Sequence, residues 1–216
     1  MNDSQLRQDV IDELDFDPSI DASGIGVAVA DGVVTLTGHV PAYVQKVDAE
    51  RATWRVKGVK AIAQEIQVRL PAEARVNDDE IASRAVHTIA WHASIPRGQI
   101  HVKVANGWVT LSGEVPWHYQ RQSAEASVKR LGGVKGVINA VTVAPTVSSA
   151  DVRRHIADAL RRHADVEADR IRIRIAPEGD VTLEGDVDDY DERLAVARAA
   201  WSVPGVHAVH DHMRIG

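Results

Sequence analysis

The sequence contains no cysteine and a single phenylalanine, and aromatic residues make up 4% of it. Without thiols there is no disulfide framework, no thiolate ligand for a metal and no cysteine nucleophile. No apolar run approaches the ~18 residues a membrane-spanning helix needs. The first residues, Met1-Asn-Asp-Ser-Gln-Leu-Arg-Gln-Asp9, lack the basic start and apolar stretch of a secretory signal. The expectation is a soluble chain in the cytoplasm, or in the periplasm if an export signal belongs to a longer form. No P-loop, dinucleotide fingerprint, nucleophile elbow or zincin motif occurs. A large excess of one charge is missing too. The net charge is −6, distributed as −4 over residues 1–72, +2 over 73–146 and −4 over 147–216. Attraction of the whole molecule to nucleic acid or anionic lipid is thereby disfavoured, and a local attraction is left open.

What the chain does have is repetition. Val27-Ala-Val-Ala-Asp-Gly-Val-Val-Thr-Leu-Thr-Gly-His-Val40 returns as Val102-Lys-Val-Ala-Asn-Gly-Trp-Val-Thr-Leu-Ser-Gly-Glu-Val115. It returns again, one residue longer, as Ile173-Arg-Ile-Ala-Pro-Glu-Gly-Asp-Val-Thr-Leu-Glu-Gly-Asp-Val187. Its second glycine moves from Gly38 to Gly113 to Gly185. A period of this length, with turn glycines in phase, argues for tandem small domains, here 1–72, 73–146 and 147–216. Units this small sit near the lower limit for an independent core. Repetition also supplies an internal control. A feature present in all three copies serves the fold, whereas a feature of one copy is a candidate for specialisation.

Each repeat opens with a helical apolar face: Leu6, Val10 and Leu14; Ile81, Ala85 and Ile89; Val152, Ile156 and Leu160. Asp3, Asn77 and Ser149 stand ahead of these faces as expected N-caps. Two alternating strands follow, joined by Asp31-Gly32 or Asn106-Gly107, dipeptides suited to tight hairpins. The third copy has Ala176-Pro177-Glu178-Gly179 at that place. A second helix is expected after Pro41, Pro116 or Asp188-Asp189. It should bury Ala49, Ala52 and Val56; Ala124, Ser127 and Leu131; Val196, Ala199 and Val203, and end on Gly58, Gly133 or Gly205. A third strand closes each unit, parallel to the second because a helix crosses between them. The fold class is therefore α+β, with three tandem αββαβ units. Each unit is a three-stranded mixed sheet with two helices packed on one face.

The signature Val-x-Val-x-x-Gly-x-Val-Thr-Leu-x-Gly-x-Val, an alanine-bearing helix, and then Gly133 through Val141 resemble the BON domain, named for bacterial osmotically inducible and nodulation proteins. The resemblance covers nearly the whole chain as three domains. It implies a protein that is not catalytic and needs no cofactor, tied to osmotic or envelope stress, and binding phospholipid or envelope proteins. A cytoplasmic relative that binds potassium makes an ion ligand the alternative.

Candidate contact residues follow from what is not shared among the copies. The second repeat alone is net basic and holds Trp91, Trp108 and Trp117, three of five tryptophans. Trp108 is out of phase with Val109 and Leu111 and should face outward. Trp117 lies beside His118 and Tyr119. With Lys103, Lys129, Arg130 and Lys135 these suit a membrane interface. Trp54 and Trp201 are expected in packing. In the third repeat, Arg172, Arg174 and Arg214 should share the open sheet face with His210 and His212. That group is a candidate for phosphate or another anion, or a solvated face paired with nearby carboxylates. His210 and His212 on one strand face could also hold a metal weakly, but two ligands fall short of a closed zinc site. The remaining histidines differ between copies, except His92 and His163. The acidic run Asp186–Glu192 lacks the glycine and spacing of a calcium loop and suits a helix start. The small apolar sheet face of the first repeat, with Ala28, Ala30, Val33, Thr35, Ala61 and Ala63, suits homo-oligomer packing.

Overall fold

The computed structural model describes residues 2–72, 76–144, 149–162, 170–176, 180–203, 206 and 208–215. In the first repeat, α1 (Asp3–Phe16) precedes the hairpin β1 (Ile25–Ala30) and β2 (Val33–Val40). Then come α2 (Tyr43–Arg55), β3 (Ala61–Gln64) and β4 (Gln67–Val68). The second repeat comprises α3 (Asp78–Trp91), β5 (Ile100–Ala105), β6 (Trp108–Val115), α4 (His118–Val128) and β7 (Gly136–Val143). The third comprises α5 (Ser149–Arg161), β8 (Arg172–Ile175), β9 (Asp180–Val187), α6 (Tyr190–Trp201) and β10 (Ala208–Ile215). The chain forms two compact units. One is Met1–Trp91, Val102–Thr110 and Ala126–Ile138; the other is His92–His101, Leu111–Glu125 and Asn139–Gly216.

Every sheet is mixed and places the hairpin's second strand in the middle, in the orders β1-β2-β3, β5-β6-β7 and β8-β9-β10. In the first repeat Val27 pairs with Leu36 antiparallel, while Val34 pairs with Ile62 parallel. In the third, Ile173 pairs with Leu183 antiparallel and Val209 with Val181 parallel. The αββαβ expectation holds. The alternation works as expected: Val34 and Leu36, Val109 and Leu111, and Val181 and Leu183 are completely buried. In repeats one and three these rows join Leu6, Val10 and Leu14, or Val152, Ile156 and Leu160, in one aliphatic core. Each such side chain contributes about 1.5–3 kcal/mol on burial.

The repeated glycine is required by a close approach. Gly38, Gly113 and Gly185 have φ of +100°, +127° and +143°. A Cβ there would collide with the carbonyl oxygens of Gly24, Gln99 and Arg170. The hairpins also behave as expected, since Asp31 and Asn106 take φ of 53° and 55° ahead of Gly32 and Gly107.

Several local expectations need correction. The α1 N-cap is Asn2, whose side chain accepts from Gln5 N at 2.7 Å. Asp3 instead reaches across to the hairpin, where its carboxylate accepts from Asp31 N (2.9 Å) and Gly32 N (3.2 Å). Asp78 does the same for Asn106 N (2.6 Å) and Gly107 N (2.8 Å). In the second helices the expected Ala49, Ala52, Ala124, Val196, Ala199 and Val203 are buried, and Thr53, Val128 and Ala200 are buried with them at 0% exposure. Ser127 and Leu131 are only partly buried. The helices stop at Arg55 and Val128, and Gly58 and Gly133 take positive φ in the turn beyond. The third strand of repeat one is split into β3 and β4, both paired to β2. The side chain of Ser149, the turn Pro177–Gly179, Gly205, His163 and His207 lie outside the described residues.

One shared polar feature was not anticipated. Gln64, Asn139 and Asp211 occupy one position, inside the third strand and among its core-facing residues. Each accepts from the amide two residues on, at Ile66 (3.2 Å), Val141 (3.3 Å) and Met213 (3.0 Å). Each is also tied to the second helix of its repeat. Gln64 donates to Lys46 O at 3.5 Å, Asn139 to Arg121 O at 3.0 Å, and Asp211 accepts from Arg193 Nε at 2.7 Å. A polar group among core-facing residues is tolerated because it is satisfied in this way. Its presence in all three copies assigns it to the fold.

Candidate functional site

The second repeat carries the open sheet face that differs most from a plain polar surface. Burial along β5 alternates so that His101, Lys103 and Ala105 face out. Trp108 opens β6 and is 49% exposed. Its ring lies directly over Gly136, where a Cβ would strike the indole. The equivalent residues are Ala61 in the first repeat and Ala208 in the third, beside Val33 and Asp180. Glycine thus occurs at this position only in the repeat that lays a tryptophan across it. Two residues along β7, on the same face, Ile138 is 51% exposed.

The other expected contact residues are distributed rather than gathered. Trp117 precedes α4, is 38% exposed, and donates its backbone N–H to Gln120 Oε1 at 3.1 Å. Its ring is 6.5 Å from that of Tyr119, tilted by 34°. Lys103 and Arg130 are exposed, and Lys129 is partly buried. Lys135 is exposed at its end, while its stem lies against Gly107 and its N–H donates to Gly107 O at 2.9 Å. Lys60 makes the same pair of contacts with Gly32, so this lysine's placement belongs to the shared frame.

Trp91, the third tryptophan of the net-basic repeat, is the most exposed aromatic, at 88%. On a helix burying Ile81, Ala85 and Ile89, residue 91 falls two positions past the buried stripe and points away. Its counterpart in the first repeat is Phe16, 84% exposed. Phe16 sits between Glu13 and Asp17, carboxylates that hold Arg55 at 2.8 Å and 3.4 Å. The hydroxyl and amide of Ser19, helped by Arg55, keep Asp17 below the usual carboxylate range. Phe16 therefore stands among negative charges and Trp91 does not.

In the third repeat the expected cationic face exists, and its charges are interleaved. Arg172 and Arg174 both reach Glu184, at 3.8 Å and 3.0 Å. Arg214 pairs with Asp186 at 3.0 Å and Arg170 with Asp188 at 3.2 Å. His210 lies 3.7 Å from Asp180. Of these groups, Arg170, Arg172, Glu184, Asp186 and Arg214 rim a shallow depression of about 550 Å³ that also takes in Thr182, Gly185 and His212. An acidic middle strand is thus flanked by basic edges. The rest of the acidic run is used at a helix start. Asp189 accepts from Glu192 N (2.8 Å), and Glu192 accepts from Asp188 N (2.7 Å). Among the described residues no group of three or more His, Asp or Glu is placed to hold a metal ion.

His118, the first residue of α4, stacks on Trp201 with ring centroids 3.6 Å apart and planes at 11°. Its Nδ1 is buried without a hydrogen-bond partner. Burial, and after it the positive charge of Arg121, pushes its pKa down to about 4.

The BON domain family model matches residues 2–69, 77–145 and 148–216, so the chain belongs to the BON domain family, as three copies in tandem. Osmotically-inducible protein Y of Escherichia coli strain K12 is 29% identical over 143 residues, covering 64% of this chain and 71% of that protein. An uncharacterized protein encoded in the gshII 5′ region of Anaplasma centrale is 30% identical over 122 residues, 55% of this chain and 81% of that one. Among solved structures, the C-terminal domain of CdsD, a structural protein of the Chlamydia trachomatis type III secretion system, aligns over 100% of both chains at 14% identity. Its TM-score is 0.28, a likeness too slight to bear on the fold.

Proposed function

We propose that this chain is a non-catalytic binding protein of osmotic or envelope stress that contacts phospholipid through its second repeat. One observation carries the reading. Six of the nine large apolar side chains exposed among the described residues belong to that repeat: Val86, Trp91, Trp108, Trp117, Tyr119 and Ile138. Tryptophan and tyrosine are the side chains that favour the headgroup region, because each joins an apolar ring to a polar atom. The same repeat is the only one with net positive charge, +2 in a chain of −6. A stress role is drawn from the name of the osmotically inducible relative. No helix among the described residues is long and apolar enough to cross a membrane.

Co-sedimentation with vesicles of phosphatidylethanolamine and phosphatidylglycerol tests this. Binding is expected at low salt, weakening as salt rises towards 0.5 M because exposed charges are screened beyond a few ångströms there. Absence of binding at low salt would refute the proposal.

A further inference from the structure

We infer that the His118–Trp201 stack is an acid-sensitive link between the second and third repeats. The two rings come from the start of α4 and the end of α6, and they meet face to face at 3.6 Å. This inference does not depend on lipid binding.

The link works with a neutral imidazole and is opposed by a charged one. An imidazolium donates from both ring nitrogens. Nδ1 here is buried with no acceptor, so a proton placed on the ring loses solvation that the stack does not replace. Arg121, on the same helix three residues on, adds repulsion. On α6 the charged residue one turn before Trp201 is Arg198, a second cation. One effect acts the other way, since a cation is attracted to the face of an indole. Burial, and after it the charge of Arg121, act against the charged ring and push its pKa down to about 4. The sign follows. A histidine whose pKa is lower in the stacked state stabilises that state fully above its free value near 6.5. The stabilisation fades as pH falls from 6.5 to 4, because the separated state then binds the proton more readily. The equilibrium shifts towards separated rings across that window by up to on the order of a hundredfold, and by less in proportion to the share of the depression due to Arg121, which stays beside the ring on its own helix. The equivalent residues are Tyr43 and Tyr190, so the imidazole at this place is particular to the second repeat.

The test uses the full chain. Proton NMR of the histidine ring follows His118 from pH 8 to 3.5, and amide exchange follows the last turn of α6 over the same range. His118 should titrate near 4, and protection around Trp201 should fall between pH 6.5 and 4. In His118→Phe, which keeps a flat ring and cannot titrate, protection should persist to pH 4. In His118→Ala it should be reduced already at pH 7, with circular dichroism reporting that the helices remain. His118 titrating at or above 6.5 would overturn the inference. So would a His118→Phe protein that loses the same protection at the same pH as the native chain.

Discussion

The open sheet faces of the second and third repeats are built on one frame and finished in opposite ways. Where Trp108 lies over Gly136 with Ile138 beyond it, the third repeat has Asp180, Ala208 and His210, and Asp180 and His210 are 3.7 Å apart. The aromatic face leaves large apolar surface in contact with water. The ionic face pairs its arginines with Glu184, Asp186 and Asp188. Paired, exposed charges gain little from one another, typically 0–1 kcal/mol, and they resist desolvation by a partner. The comparison teaches that the arginines on a face have to be read together with the carboxylates on the strand between them. It also shows that a shared fold is indifferent to what its outer rows carry.

The comparison can be broken at its frame or at its faces, and the frame should be the more costly. Alanine at Gly113 or Gly185 places a Cβ against the carbonyl oxygen of Gln99 or Arg170, at φ of +127° or +143°. Each substitution should destabilise by about 3 kcal/mol or more, read by urea denaturation. Next in size, replacing Trp108 by Asp and Ile138 by His converts the aromatic face to the ionic pattern. That double variant should bind anionic vesicles about tenfold more weakly than the native chain, a loss of about 1.4 kcal/mol, with unchanged circular dichroism. Of comparable size, Gly136→Ala pushes the indole off the sheet. It should cost roughly 1–2 kcal/mol and shift tryptophan emission, whereas Ala208→Gly in the third repeat should leave emission unchanged. The smallest effect on stability is expected for Glu184→Gln. It frees Arg172 and Arg174 from their shared carboxylate and should change stability by under about 1 kcal/mol. It should also create phosphate binding detectable by calorimetry.

The sequence made the three-part frame legible because its signals are local. Spacing of Leu6, Val10 and Leu14 sets a helix face, and Asp31-Gly32 sets a turn, without reference to distant residues. What it concealed depended on partners far along the chain. Asp3 looks like a helix cap until its carboxylate is seen on the hairpin amides, 28 and 29 residues on. Gln64, Asn139 and Asp211 break the apolar alternation and make sense only beside the helix they bond. In the candidate site, the outward placement of Trp108 was readable from alternation, and so was that of Ile138, which was overlooked. The pairing of Arg172 and Arg174 with Glu184 required the register of β8 on β9. The stack of His118 on Trp201 joins residues 83 positions apart and leaves no trace in either local sequence.

The most direct measurement is amide exchange on the full chain with and without anionic vesicles at low salt. The account predicts added protection in β6, β7 and the end of α3, around Trp108, Ile138 and Trp91, and unchanged exchange in β8, β9 and β10. Protection confined to the third repeat, or none anywhere, would contradict it.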